Sequence, residues 1–243
     1  MAPRTSFGVA DLEEFWVNDA KTARGSMVSH PPAALAAMSR DETLARFAAE
    51  HHAVFTTAHA ALCGFTGAQI VYRKESGRWL HQHLGAYSMA GAPPSWKGDL
   101  LASCWAGGFR AVASHRSAAA LWNLAGGRRS MQEITCPRWR RARHAGLVVH
   151  ETKAFDSVDA MVIEGIPVAT PERTLLDLGA VCHVSIVEMA LDAAEKRALV
   201  TLDSVRAAVR RLGRSGRNGV GTLRPSSMRA VLTASQPRAR WRP

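Results

Sequence analysis

The stretch AVASHRSAAALWNL, residues 111–124, sets a serine, a histidine and an arginine side by side at Ser114, His115 and Arg116. A hydroxyl beside an imidazole is the raw material of nucleophilic catalysis, in which the base takes the nucleophile's proton. Neighbours in sequence seldom aim at one another, however, and no third group is marked to orient the base. Ser114 also stands where a helix N-cap belongs, with Ala118, Leu121 and Trp122 at helical spacing behind it and Leu124 just beyond. The pattern therefore predicts a capped helix rather than a reacting centre. A second candidate is Glu151-x-Lys153 on a predicted strand, the spacing by which metal-dependent nucleases set a carboxylate ligand beside a lysine. Such hydrolysis asks for an upstream aspartate on a neighbouring strand, and from Leu100 to His150 Glu133 is the only acid.

Metal and cofactor chemistry find little else to work with. Cys63, Cys104, Cys136 and Cys182 are scattered singly, which suits free buried thiols better than a zinc cluster or a disulfide framework. His51 and His52 are adjacent and His81 and His83 share a strand face, but no carboxylate or thiol completes a ligand set. GGRRS lacks the glycine and lysine placement of a phosphate loop or a dinucleotide site. No metal, no cofactor and no enzymatic activity are expected.

Charge points elsewhere. The 243 residues carry a formal net charge of +11. From Val205 to Pro243 there are ten arginines and no acid, and residues 126–143 hold six arginines, Arg138, Arg140 and Arg141 among them, against Glu133. Such patches suit polyanions, nucleic acid above all, through phosphate neutralisation and counterion release. A solubilising tail and a solvated loop would account for them equally. Hydrophobic residues make up 47% of the chain, enough for a packed core. No run approaches the ~18 apolar residues of a membrane span, and the N-terminus lacks a secretory layout, so a cytoplasmic protein is expected.

The elements that would position these groups fall into four blocks. Residues 1–40 read as a loosely ordered extension. Residues 41–95 read as a winged helix-turn-helix. Here a first helix is capped by Ser39 and carries Leu44, Phe47 and Ala48; a short helix follows Thr56 or Thr57 and ends at Gly64. A second short helix is capped by Thr66, with Ile70 and Val71 inward and Gln69, Arg73 and Lys74 outward. WLHQHLGAYSM then reads as a β-hairpin wing turning at Gly85-Ala86, with Arg78 leading in. Residues 41–90 are formally neutral, four basic side chains against four acidic, which leaves room for a non-DNA, protein-binding role.

Residues 96–204 read as a mixed α/β unit. DLLASCWAGGF is helical, RAVAS a short strand or link, and an arginine loop leads to the strand GLVVHE. MVIEGIPVAT is a strand region broken at Gly165-Ile166-Pro167. TPERTLLDLGAV is the best-marked helix: Thr170 caps it, Pro171 suits the first helical position, and Leu175, Leu176 and Leu178 face the core. Arg173 and Asp177 lie four apart and are expected on its surface. Further helices follow at SIVEMALDAAEKRAL and TLDSVRAAVRRLG, the second opening an arginine-rich helical tail, residues 205–243. The fold class expected is α+β.

The order of these signals resembles a known family. A winged helix ending in a tyrosine-bearing hairpin, SHRSAAALWNL, a strand ending in VVH and GIPVATPERTLLDLGAV are similar to the AbiEi-type antitoxins of type IV (abortive-infection) toxin–antitoxin systems, in the form common in actinobacteria. The resemblance covers about residues 41–234. It implies a DNA-binding transcriptional autorepressor of a phage-defence operon, in which the winged helix binds operator repeats of its own promoter on double-stranded DNA. It also implies an α/β domain that counters a nucleotidyltransferase-like toxin, directly or only functionally, and a dimer on DNA. By position, the DNA-binding residues would be Thr66, Gln69, Arg73, Lys74 and Arg78, with Arg138, Arg140 and Arg141 adding basic contacts. Ser114, His115, Arg116, Trp122, Pro171, Arg173 and Asp177 are the family-motif positions, structural or facing a partner. Many relatives carry a further C-terminal domain resembling Vsr-type endonucleases, expected to be absent here, so the resemblance also implies an alternative: a nuclease-related protein or its remnant, in which Glu151 and Lys153 would matter.

Overall fold

The computed structural model describes residues 38–108, 110–137, 146–152 and 155–212. The N-terminal extension up to residue 37, Arg138, Arg140, Arg141, Lys153 and the chain from residue 213 lie outside the described residues. Within them are eight α-helices and two β-sheets, a mixed α+β architecture. Among the described residues no helix is long and apolar enough to cross a membrane.

The first group of elements is local in sequence. Helix α1 (Arg40–Glu50) starts at Ser39, whose hydroxyl accepts from the Glu42 amide while the Glu42 carboxylate accepts from the Ser39 amide. Strand β1 (Val54–Thr56) runs into α2 (Thr57–Leu62), capped by Thr56, and α3 (Gly67–Glu75) is capped by Thr66 in the same reciprocal way. Strands β2 (Trp79–His83) and β3 (Ala86–Met89) form a hairpin through Gly85, and β1 adds to it antiparallel, giving the order β1-β3-β2. The sequence pattern does not announce β1; pairing makes it, with Phe55 opposite Tyr87 and both side chains buried. Leu44, Ala60, Phe65 and Trp79 complete this core, with the Trp79 ring edge-on to Phe55 and Phe65.

The second group surrounds a five-stranded sheet. Its strands are β4 (Val112–Ala113), β5 (Gln132–Pro137), β6 (Leu147–Thr152), β7 (Ala160–Ile163) and β8 (Ile166–Ala169), ordered β6-β5-β4-β8-β7. Its helices are α4 (Trp96–Gly107), α5 (His115–Leu121), α6 (Pro171–Val181), α7 (Val184–Lys196) and α8 (Leu202–Leu212). The arginine loop expected after Gly127 is in part strand. Gln132–Pro137 is β5, with Ile134 and Cys136 buried, and the arginines on either side hide its β-branched centre. The break expected at Gly165-Ile166-Pro167 sits earlier: Glu164 and Gly165 turn with φ of 50° and 77°, the positive pair a two-residue hairpin favours, and Pro167 lies inside β8. Helix α8 sends Val205, Ala208 and Leu212 into the same core, so the arginine-rich segment from 205 begins inside a packed element.

Helix α4 joins the two groups, packing on β1, β2 and β3 as well as on the large sheet. Gly98 makes this approach possible, since a Cβ there would lie 2.6 Å from the His52 carbonyl oxygen. His52 Nε2 meets the Glu164 carbonyl at 2.7 Å, and Lys97 pairs with the Glu164 carboxylate.

Candidate functional site

Two places gather the residues singled out from the sequence. The first is α3 and the hairpin. Helix α3 buries no residue completely, so most of its surface is available. The side chains expected to face outward are nevertheless partly spent on the fold. Gln69 closes the helix cap, its Oε1 accepting from the Thr66 amide at 3.0 Å and from Arg40 Nη1 at 2.9 Å. Arg73 grips Asp41 of α1 with Nη1 at 2.6 Å and lies over the Phe65 ring. Val71, expected inward, is 47% exposed, and Tyr72 beside it is 61% exposed. The periodicity had placed the helix about one residue off in rotation, because Arg73 rather than Val71 covers Phe65 and Trp79. Lys74 is exposed as expected, its ammonium 5.2 Å from the Tyr87 ring centre, and Arg78 at the entry to the hairpin is exposed too.

The second place is assembled from three elements distant in sequence. The β4–α5 junction carries Ser114, His115 and Arg116. The cap geometry expected there is present in the backbone only: the Ala118 amide donates to the Ser114 carbonyl, but the Ser114 hydroxyl makes no cap. It shares a 2.9 Å hydrogen bond with His115 Nδ1 instead. Adjacent side chains meet here because His115 opens α5 with φ at +48°, a left-handed backbone that costs about 1–3 kcal/mol unless its surroundings hold it.

Antiparallel pairing of β4 with β5 and parallel pairing of β5 with β6 bring the other members. The Ser114 amide donates to the Glu133 carbonyl at 2.9 Å, and Thr135 of β5 stands in register with His150 of β6. Alternation along β5 sets Glu133 and Thr135 on one face, with His150 beside them, while Ile134 and Cys136 point the other way into the core with α4. The His115 and His150 rings stack with centroids 3.5 Å apart and planes 16° from parallel. Glu133 Oε2 meets His150 Nε2 at 3.3 Å, and Glu133 Oε1 accepts from Arg116 Nη1 at 3.3 Å. Arg116 also donates to the Val181 carbonyl at the end of α6.

Burial, reinforced by the neighbouring His150, pushes the His115 imidazole down to about 3, so it is neutral across the physiological range. For Glu133 burial alone would raise the carboxyl, but the hydrogen bonds from His150 and Arg116 outweigh it and hold the group below its ordinary value. A neutral imidazole, a second imidazole and a carboxylate thus form one cluster. Their ligand atoms all lie within 4.8 Å of one another. The expectation that no carboxylate completes a histidine ligand set does not hold for these three. Sequence spacing missed it because each member comes from a different element.

The remaining motif residues are structural. Trp122 donates from Nε1 to the Ala169 carbonyl at 2.9 Å, and Pro171 opens α6 behind its Thr170 cap. Arg173 and Asp177 are buried, not on the surface. Arg173 Nε donates to Asp177 at 2.8 Å, Nη1 stands 3.7 Å from Asp159, and the guanidinium lies over the Phe155 ring. The acids behind α6 turn what looked like a surface pair into an internal clamp. Glu151, one residue on from His150, alternates to the opposite strand face and is not in this cluster.

No protein-family model matches the chain, and no curated protein matches it. Among solved structures, the crystal structure of the Rv2827c protein from Mycobacterium tuberculosis aligns over 81% of each chain, with a TM-score of 0.46 and 15% sequence identity.

Proposed function

We propose that this chain is a DNA-binding transcriptional regulator acting in the cytoplasm, with residues 41–95 as a winged helix-turn-helix. The observation that carries this reading is the element order α1-β1-α2-α3-β2-β3, in which two short helices meet at Gly64 and a hairpin closes beside the second. In this reading α3 enters the major groove. Of its exposed side chains, Ala68, Val71 and Tyr72 suit thymine methyl groups and sugar edges, Lys74 takes a phosphate together with Thr66 and Arg78 at its flanks, and Glu75 at the last turn points away from the backbone contacts in this reading. Gln69 and Arg73 brace the helix rather than read bases. The arginines from 214 onward add a salt-sensitive, sequence-independent attraction. The sequence resemblance supplies the regulatory setting: an antitoxin-like autorepressor binding repeats in its own promoter as a dimer, opposite a nucleotidyltransferase-like toxin.

The test is binding of the full-length protein to its own upstream duplex and to a scrambled duplex across a salt series. Tyr72→Ala and Lys74→Ala/Arg78→Ala run alongside, with a form ending at Leu212. Preference for the upstream duplex, lost in Tyr72→Ala and reduced about tenfold or more in the double variant, supports the reading. Equal binding to both duplexes that disappears with the arginine segment would leave only a polyanion-binding tail and sink it. In that event the exposed Leu62, Val71, Tyr72 and Leu84 become the surface to probe with protein partners.

A further inference from the structure

We propose that His115, Glu133 and His150 form a binding site for one divalent transition-metal ion of the zinc class, distinct from the DNA-reading surface. Two imidazoles and one carboxylate are a donor set that zinc and its neighbours in the first transition row accept, with open positions left for water. Three independent features of the cluster fit this use.

The first is convergence. One ligand atom from each of His115, Glu133 and His150 lies within 4.8 Å of the other two, although the three residues come from three different elements. The second is the outer layer of hydrogen bonds. Ser114 engages His115 Nδ1, which leaves Nε2 as the ligand atom, and Arg116 occupies Glu133 Oε1, which leaves Oε2 on the His150 side. Ser117 fixes the strand beneath: its hydroxyl accepts from the Glu133 amide at 2.8 Å and lies 3.3 Å from the Met131 carbonyl. The third is Thr135. Its hydroxyl is buried without a hydrogen-bond partner among the described residues, and it lies on the strand face of Glu133, in register with His150. A metal-bound water is the kind of partner such an orphaned group needs.

Two guanidinium groups stand near. Arg173 is paired with Asp177 and Asp159, while Arg116 holds Glu133 Oε1 and the Val181 carbonyl, so an ion on Oε2 would share that carboxylate with Arg116. One adjustment is needed. Stacked rings hold their in-plane lone pairs side by side, so the His150 ring must turn for both nitrogens to converge on an ion. His150 can do so because β6 is an edge strand and its side chain is part-exposed, which is also the route by which an ion enters.

The experiment uses the tag-free full-length protein after chelator treatment and desalting. Zn²⁺ is titrated by calorimetry, and Co²⁺ is followed through its visible d–d bands. His150→Ala is the main variant, because it removes a ligand at an edge strand with little core disruption; Glu133→Gln keeps the shape and removes the charge. His81→Ala, on the exposed hairpin, is the control. We expect one ion per chain, intense low-symmetry Co²⁺ bands, a Zn²⁺-dependent rise in Tm, and affinity at least 100-fold weaker in His150→Ala but unchanged in His81→Ala. Failure of the wild type to bind Zn²⁺ or Co²⁺ overturns the proposal. So does binding that survives both His150→Ala and Glu133→Gln, since the ion would then sit on other histidines. DNA binding is read separately, so neither outcome depends on the regulator reading.

Discussion

Arg73 and Asp41 are clasped fork to fork, Nη1 to Oδ1 at 2.6 Å and Nη2 to Oδ2 at 2.7 Å, tying α3 to α1. The guanidinium also roofs the Phe65 and Trp79 rings, so it seals the edge of the small core. Arg73→Ala should therefore lower stability by about 1–2 kcal/mol, more than an exposed ion pair would cost. Urea unfolding monitored by tryptophan fluorescence and circular dichroism reads this. An Arg73→Ala protein as stable as the wild type but weakened on DNA would return Arg73 to the role of direct reader.

Asp159 answers to two arginines from different helices, Arg173 of α6 and Arg211 of α8, and is itself wholly buried. Removing Asp159 takes the partner from Arg211 and leaves the buried Arg173 guanidinium with Asp177 as its only acid, an excess of buried positive charge. Asp159→Ala should cost about 3–5 kcal/mol, whereas Lys196→Ala, which breaks an exposed pair with Asp192, should cost under about 0.5 kcal/mol. Denaturant midpoints of the two variants side by side test the contrast.

His59 supplies a pH dependence of known sign. Burial, helped by the nearby His51, lowers its imidazole from an ordinary 6.5 to about 3 in the folded protein. Its Nδ1 accepts from the Thr56 amide, a bond that protonation would abolish. The unfolded chain therefore takes up a proton that the folded chain refuses. This contribution to stability is complete above pH 6.5 and falls by up to about 1.4 kcal/mol per pH unit on acidification, levelling off only near pH 3. Gln at this position keeps a capping acceptor without titrating. The midpoint difference between pH 7.5 and 5.5 should thus be smaller in His59→Gln than in the wild type; equal differences would contradict the assignment.

Gly98 tests how closely the two halves must meet. Its added methyl would press on the His52 carbonyl, which is backbone and cannot swing aside. Gly98→Ala should destabilise by about 1–3 kcal/mol despite the better helix propensity of alanine. A Tm equal to or above the wild type would show that α4 can shift at no cost.

What the sequence makes legible here is local chemistry. Ser39, Thr56, Thr66 and Thr170 all cap the helices they precede, because a hydroxyl and an amide three residues apart need nothing else to find each other. The leucines of α6 face inward as their spacing requires. Position relative to other elements is not local. Ser114 has the same cap signature, but the imidazole that the turn brings to its hydroxyl takes the bond instead. Arg173 and Asp177 look like a surface pair until Asp159 and Phe155 arrive behind them. Glu133 and His150 join His115 only through strand register, and β5 itself is masked by flanking arginines.

The strand order carries a consequence for the newborn chain. Every strand of β1-β3-β2 is complete once Met89 has been made, but β4, two residues long, finds its parallel partner only when β8 arrives, with Ala113 beside Val168. Long-range parallel pairing is the slow part of folding. Synthesis should thus release the small three-stranded unit already closed while Val112 and Ala113 wait, half a sheet, for residues 166–169. A released fragment ending after residue 130 should resist protease across residues 40–90 and remain cleavable beyond Gly107.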